Sequence, residues 1–199
     1  MKTKLAGLSA AAVLAASLSA PASAAFISGS LSFSDGLDTL GDVVSNLTTF
    51  DIGAPTNASG GTGDFVGLAG VTTTSDIDTA APGGVIYSIG GFDFTLSSVS
   101  NITASPLACN GGLCNDQKAF TIAGTVTGAG FDPTAFLGNF TANGTCAEGN
   151  PGACLDGTRS GSWSSSVVAL ARAETPVPAT LALLGLGLAG LGWSRRSKA

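Results

Sequence analysis

Gly91-Phe92-Asp93-Phe94-Thr95-Leu96-Ser97-Ser98-Val99 is the stretch on which the fold turns. Phe92, Phe94 and Leu96 alternate with Asp93, Thr95 and Ser97, so an extended chain puts three large apolar side chains on one face. The same period recurs on either side. Ile27, Leu31 and Phe33 share a face against Ser28, Ser30 and Ser32, and Phe120, Ile122 and Val126 share one within residues 119–127. Weaker alternation marks residues 43–52, 64–73, 84–89, 135–142 and 161–170 as further strands. Turn pairs such as Asp35-Gly36, Gly60-Gly61, Pro82-Gly83-Gly84 and Asp156-Gly157 punctuate them. The chain holds 29 glycines and very little Glu or Lys, which opposes long helices. About eight short strands with one buried and one wet face predict an all-β body, an antiparallel β-sandwich or jelly-roll.

The two ends do not belong to that body. Lys2 and Lys4 precede an apolar, Ala- and Leu-rich run, and Pro21 then leads into Ala22-Ser23-Ala24. A short positive region, a hydrophobic run too short for a bilayer and small residues at Ala22 and Ala24 describe a secretory signal peptide over residues 1–24, cut after Ala24 or Ala25. Its alternative is an uncleaved N-terminal anchor. The secreted domain then covers residues 25–174 and a hydrophobic tail residues 175–199.

All thirteen acidic residues lie between residues 25 and 175, with only Lys118, Arg159 and Arg172 as basic partners, a formal charge of −10 for that stretch. Phosphate backbones are bound through Lys and Arg, so nucleic acid is excluded as a partner. The four cysteines form two close pairs, Cys109 with Cys114 and Cys146 with Cys154, in a chain routed to an oxidising compartment. Three disulfide connectivities exist. The two local ones are favoured, because each pair brackets a turn-rich segment, Asn110-Gly111-Gly112 or Gly149-Asn150-Pro151-Gly152.

The sequence contains no histidine. That removes a Ser-His-Asp triad, a Cys-His pair and His-ligated metal sites. Gly60-Gly61-Thr62-Gly63 lacks the lysine of a phosphate loop and reads as a turn. No cofactor or metal is called for, and the body reads as non-enzymatic. One alternative keeps carbohydrate in view: a binding or hydrolytic module using Trp163 as a stacking platform and paired aspartates such as Asp35 with Asp38 or Asp76 with Asp78. Against it stands the ordinary use of Trp and Phe in a core and of Asp as a turn cap. Asp76-Ile77-Asp78 also carries a third reading, oxygen ligation of Ca²⁺.

From Pro176 the composition changes. Pro176-Val177-Pro178 is followed by the apolar run 179–193, then by Ser194-Arg195-Arg196-Ser197-Lys198. The run measures about 22 Å as a helix at 1.5 Å per residue, short for a hydrocarbon core of roughly 30 Å. Arg195, Arg196 and Lys198 form a membrane stop that stays cytoplasmic, which leaves the body outside. A buried helix of a soluble domain fits neither the basic end nor the missing polar face.

As a three-part unit the tail resembles the PEP-CTERM protein-sorting domain of exported bacterial proteins. It departs from that pattern at Val177, where Glu is usual. The resemblance implies that an exosortase takes the chain as its substrate, cutting near the sorting motif Pro176, Val177 and Pro178. It also implies Sec export, a transient stay in the inner membrane, and delivery to the cell surface or an exopolysaccharide-rich biofilm matrix. Segments such as Gly61-Thr62-Gly63-Asp64-Phe65, Tyr87-Ser88-Ile89-Gly90-Gly91-Phe92 and Gly161-Ser162-Trp163 make the body similar to uncharacterised exoproteins bearing such tails, a likeness that brings no activity with it.

Overall fold

A computed structural model describes residues 24–37, 42–52, 56–171 and 185. Residues 24–172 form one compact unit. Its described residues form twelve strands: β1 (Ala25–Phe26), β2 (Gly29–Gly36), β3 (Thr49–Phe50), β4 (Thr56–Ser59), β5 (Gly70–Thr74), β6 (Ile77–Asp78), β7 (Val85–Ile89), β8 (Phe92–Asn110), β9 (Leu113–Gly128), β10 (Phe131–Asp132), β11 (Thr134–Ala147) and β12 (Ser160–Ala169). The all-β, antiparallel expectation is met. Hydrogen bonding does not divide the strands into the two sheets of a sandwich, however. It runs round one closed ring in the order β11-β12-β2-β4-β5-β7-β8-β9. The ring is almost a meander, closed when the last strand, β12, pairs with β2 from Ala169↔Gly29 to Ser162↔Gly36.

Alternation decides which residues enter. Phe92, Phe94 and Leu96 face the interior, as do Phe120, Ile122 and Val126, and Ile27, Leu31 and Phe33 are buried too. The filling is aromatic. Phe33 stacks on Tyr87 at 4.0 Å between centroids, Tyr87 lies parallel to Trp163, Trp163 stacks on Phe140 at 5.4 Å, and Phe140 stacks on Phe120 at 4.7 Å. Phe136 packs edge-on against Phe94, which in turn meets Phe33 and Tyr87. At Gly124 on β9 an added Cβ would come within 2.0 Å of the Thr95 carbonyl and 2.7 Å of the Phe136 ring, so glycine is what admits Phe136.

Two segments predicted as strands do other work. Residues 43–52 form a strap across one end of the ring: a 3-10 turn over Val44–Asn46, then β3, which pairs with β6. Val44, Phe50 and Ile52 are fully buried in it. All three share the parity of a strand, which is why alternation reads the whole segment as one; the 3-10 turn over Val44–Asn46 confines the pairing to Thr49–Phe50. Residues 63–65 form a second 3-10 turn, with β5 following only at Gly70. The turn is zipped to the start of β2: Asp64 N–H donates to Ser28 O at 2.8 Å, and Ser28 N–H donates to the Asp64 carboxylate at 2.7 Å. Gly63 has φ +58° and lies so near Ser28 O that a Cβ would clash at 2.3 Å. The Gly60-Gly61-Thr62-Gly63 tract is therefore a structural loop that seats Phe65 in the core.

The hairpin of β8 and β9 is far longer than the alternation in residues 91–99 and 119–127 suggests. Residues 97–110 of β8 are mostly exposed, pair only with β9 among the described residues, and carry bulges after Leu96, Ser100 and Ser105. Asn101 adopts φ +52° there. With Pro106, these irregularities blunt an open sheet edge.

The residues expected to form a signal peptide, Ala22 among them, lie outside the described part of the chain, while Ala24 lies inside it and β1 begins at the next residue. The expected tail helix, Pro176 to Pro178, and Arg195, Arg196 and Lys198 also lie outside it, except that Gly185 is helical. Among the described residues no helix is long and apolar enough to cross a membrane, a statement that leaves membrane-spanning strands untouched.

Candidate functional site

The residues proposed for carbohydrate are placed by the ring itself. Trp163 sits on β12 at an inward position and is 2% exposed. Its indole Nε1–H donates to Ile52 O at 3.2 Å, which ties β12 to the strap. A side chain stacked between Tyr87 and Phe140 offers no face to a sugar ring, so the stacking role for Trp163 is corrected to a core role. Tyr87 is likewise fully buried, and burial pushes its phenol far above the ordinary range against a smaller opposing effect of Ser165. Ser165 Oγ lies near enough to oppose the shift, yet among the described residues neither it nor the Tyr87 hydroxyl makes a hydrogen bond of good geometry.

The aspartates do what turns ask of them. Asp78 Oδ1 accepts from Ala80 N–H at 2.8 Å and Ala81 N–H at 3.2 Å, and Asp35 Oδ1 accepts from Gly36 N–H at 2.7 Å. Asp93 accepts from the Ser88 hydroxyl at 2.6 Å. Asp38 lies outside the described residues. Between Asp76 and Asp78, Ile77 is buried, and among the described residues no three of Cys, Asp and Glu gather in a metal-holding group.

Asp76 is perturbed nonetheless. Partial burial, reinforced by the Asp51 charge, raises its carboxyl above the usual 3.8. The folded state then holds the Asp76 proton more tightly than the unfolded chain does. Stability is lost as pH rises from 3.8 through the raised value, and the carboxylate costs stability at neutral pH. We expect Asp76→Asn to raise Tm slightly at pH 7 and to give no gain at pH 3, where Asp76 is already protonated. An equal gain at both pH values in thermal melts contradicts the assignment. Asp42 has the opposite sign: hydrogen bonds from Val43 N–H and the Asn46 amide, helped by the charge of Arg159, hold it below 3.8.

One charged arrangement was not legible in the sequence. Asp116 and Lys118 point inward on β9 and are 7% and 8% exposed. Asp116 accepts the Ser45 N–H, and the Lys118 ammonium donates to Leu47 O and stands 5.9 Å from the Phe50 ring centre. Both anchor the strap. Alternation along β9 marks the two positions as inward, but only the strap's path supplies their partners.

The cysteines carry the two local bonds, Cys109–Cys114 across the tip of the β8–β9 hairpin and Cys146–Cys154 from β11 to the loop before β12. In the chain-entropy account, loops this short contribute about 2 kcal/mol each, enough to staple a loop and too little to carry the fold.

No curated protein and no solved structure matches the chain. The tail gives a positive result: residues 174–196 match the PEP-CTERM protein-sorting motif. The match opens at Glu174, takes in Pro176, Val177 and Pro178, and ends on Arg196. Val177 therefore does not remove the tail from the pattern. The chain carries a C-terminal PEP-CTERM protein-sorting motif, the mark of an exported exosortase substrate.

Proposed function

We propose that the chain leaves the cell by the Sec route, pauses in the inner membrane on its tail, and is processed by an exosortase near Pro176 to Pro178. The β-body then serves a non-enzymatic structural or interaction role at the cell surface or in the matrix, in association with exopolysaccharide. The observation that carries this reading is the sorting motif over residues 174–196. The body's composition is in keeping with it: strongly acidic, without histidine, and with every cysteine disulfide-bonded.

A competing role in carbohydrate hydrolysis rests on aspartates that are engaged in turns. Fractionation of producing cells tests the proposal. Most of the protein is expected at the surface and in the matrix when the exosortase is present, and in the inner membrane when it is deleted. A distribution unchanged by that deletion would sink the reading. Release of sugars from the host's own exopolysaccharide by purified protein would overturn the non-enzymatic part alone.

A further inference from the structure

Cys114 has two sulfur neighbours. It stands opposite Cys109 on β8 and opposite Cys146 on β11, and it is bonded to the first. Cys114 and Cys146 are 0% and 3% exposed and face the same side of the sheet. Residues directly opposite on antiparallel strands hold their Cβ atoms about 4.5–5.5 Å apart, a small adjustment from the roughly 3.5–4.5 Å of a disulfide. The fold thus brings a third possible bond, Cys114–Cys146, within reach of the two that exist.

We propose that the four cysteines form one thiol–disulfide exchange site, which captures an external thiol covalently on Cys109 while Cys114 and Cys146 take over the internal link. Access sets the order of events. Cys109 is partly exposed beside the Gly111-Gly112 turn at the hairpin tip, whereas Cys114 is shielded. An incoming thiolate attacks Cys109 Sγ; the Cys109–Cys114 bond breaks, a mixed disulfide forms on Cys109, and the electron pair remains on Cys114 as a thiolate. That thiolate attacks Cys146 Sγ, the Cys114–Cys146 bond forms, and Cys154 leaves as a thiolate that takes up the proton given up by the incoming thiol. Two disulfides are present before and after, so no oxidant or reductant is consumed. The outcome is a thiol-bearing molecule attached at the exposed hairpin tip. The loop after β11 is then held by backbone bonds such as Leu155 N–H to Ala147 O instead of by a disulfide.

The chain's scarcity of basic residues makes the test direct. Lys118 separates the two cysteine pairs, with no other Lys or Arg between Lys4 and Arg159. Trypsin therefore leaves Cys109 and Cys114 in one peptide ending at Lys118, and Cys146 and Cys154 in peptide 119–159. In the untreated full chain these peptides run separately. After folded protein is exposed to limiting reduced glutathione and quenched with acid, mass spectrometry should find them joined through Cys114 and Cys146. Glutathione should sit on Cys109 and an alkylatable thiol at Cys154. Cys114→Ala should abolish the joined species, and the wild-type arm decides the matter should that variant fold poorly. Peptides that stay separate while glutathione opens the Cys109–Cys114 bond overturn the proposal. So do failure of glutathione to reach Cys109 and a joined species linked through Cys109 or Cys154.

Discussion

Replacing Trp163 by alanine should destabilise the body by about 3 to 5 kcal/mol, the usual cost of removing a large aromatic side chain from a packed core. Three losses coincide at this position. The column from Phe33 through Tyr87, Trp163 and Phe140 to Phe120 is cut in the middle. Ile52 O loses the indole donor that tethers the strap. The space left behind is walled by the Tyr87 ring of β7 and the Phe140 ring of β11, which cannot collapse into it without breaking register. For a domain of this size the change should lower Tm by roughly 6 to 20 °C, at about 2 to 4 °C per kcal/mol. Trp163→Phe keeps the stacking and loses the N–H, so its melt should fall between the two. A Trp163→Ala protein that melts like the parent would show that the indole is not packed as described. It would also reopen the stacking role that burial closes.

Deleting residues 174–199 should have the largest effect on where the protein goes, and almost none on whether the body folds. The body's ring closes at Ala169, and its last described backbone bond is Leu170 N–H to Ala135 O, both upstream of the sorting motif. Removal of the apolar run and of Arg195, Arg196 and Lys198 takes away the proposed membrane stop, so the truncated protein should appear soluble in the medium or periplasm with an unchanged melt. Immunoblots of membrane, matrix and medium fractions, with circular dichroism of the purified body, measure both halves. Continued membrane retention of the truncated chain would place the anchor elsewhere and remove the tail's assigned role.

Strand alternation foretold the interior well, because it depends only on the period of two along each strand. Phe92, Phe94 and Leu96 are inside for that reason, and so are Phe120, Ile122 and Val126. How the sheet ends meet is not a local property. Closure through β12 and β2 pairs Trp163 with Asp35, residues 128 positions apart, and nothing in either segment announces the other. The strap was misread because its apolar residues Val44, Phe50 and Ile52 serve a crossing segment rather than a strand, and because Asp116 and Lys118, its anchors, have no visible partners until it covers them. The far part of β8 escaped notice for a related reason. Its sequence, from Ser97 through Asn101 and Pro106 to Asn110, lacks the apolar face that a buried strand needs. It is a strand because β9 and the tip turn hold it. Trp163 shows the limit on the functional side, since its sequence left a core role and a stacking role both open while its inward parity on β12 decided for the core. The tail was legible throughout. Its proline motif, apolar run and basic end are one-dimensional features laid out along the chain, and they need no fold to be recognised.

The central claim is that this chain is an exosortase substrate, and the mass of the exported protein's two termini tests it most directly. Protein recovered from the surface or matrix of producing cells should begin at Ala25 or Phe26 and end near Pro176 to Pro178. In cells without the exosortase it should run on to Ala199. A matrix-borne protein that still ends at Ala199 in the presence of the enzyme would contradict the account.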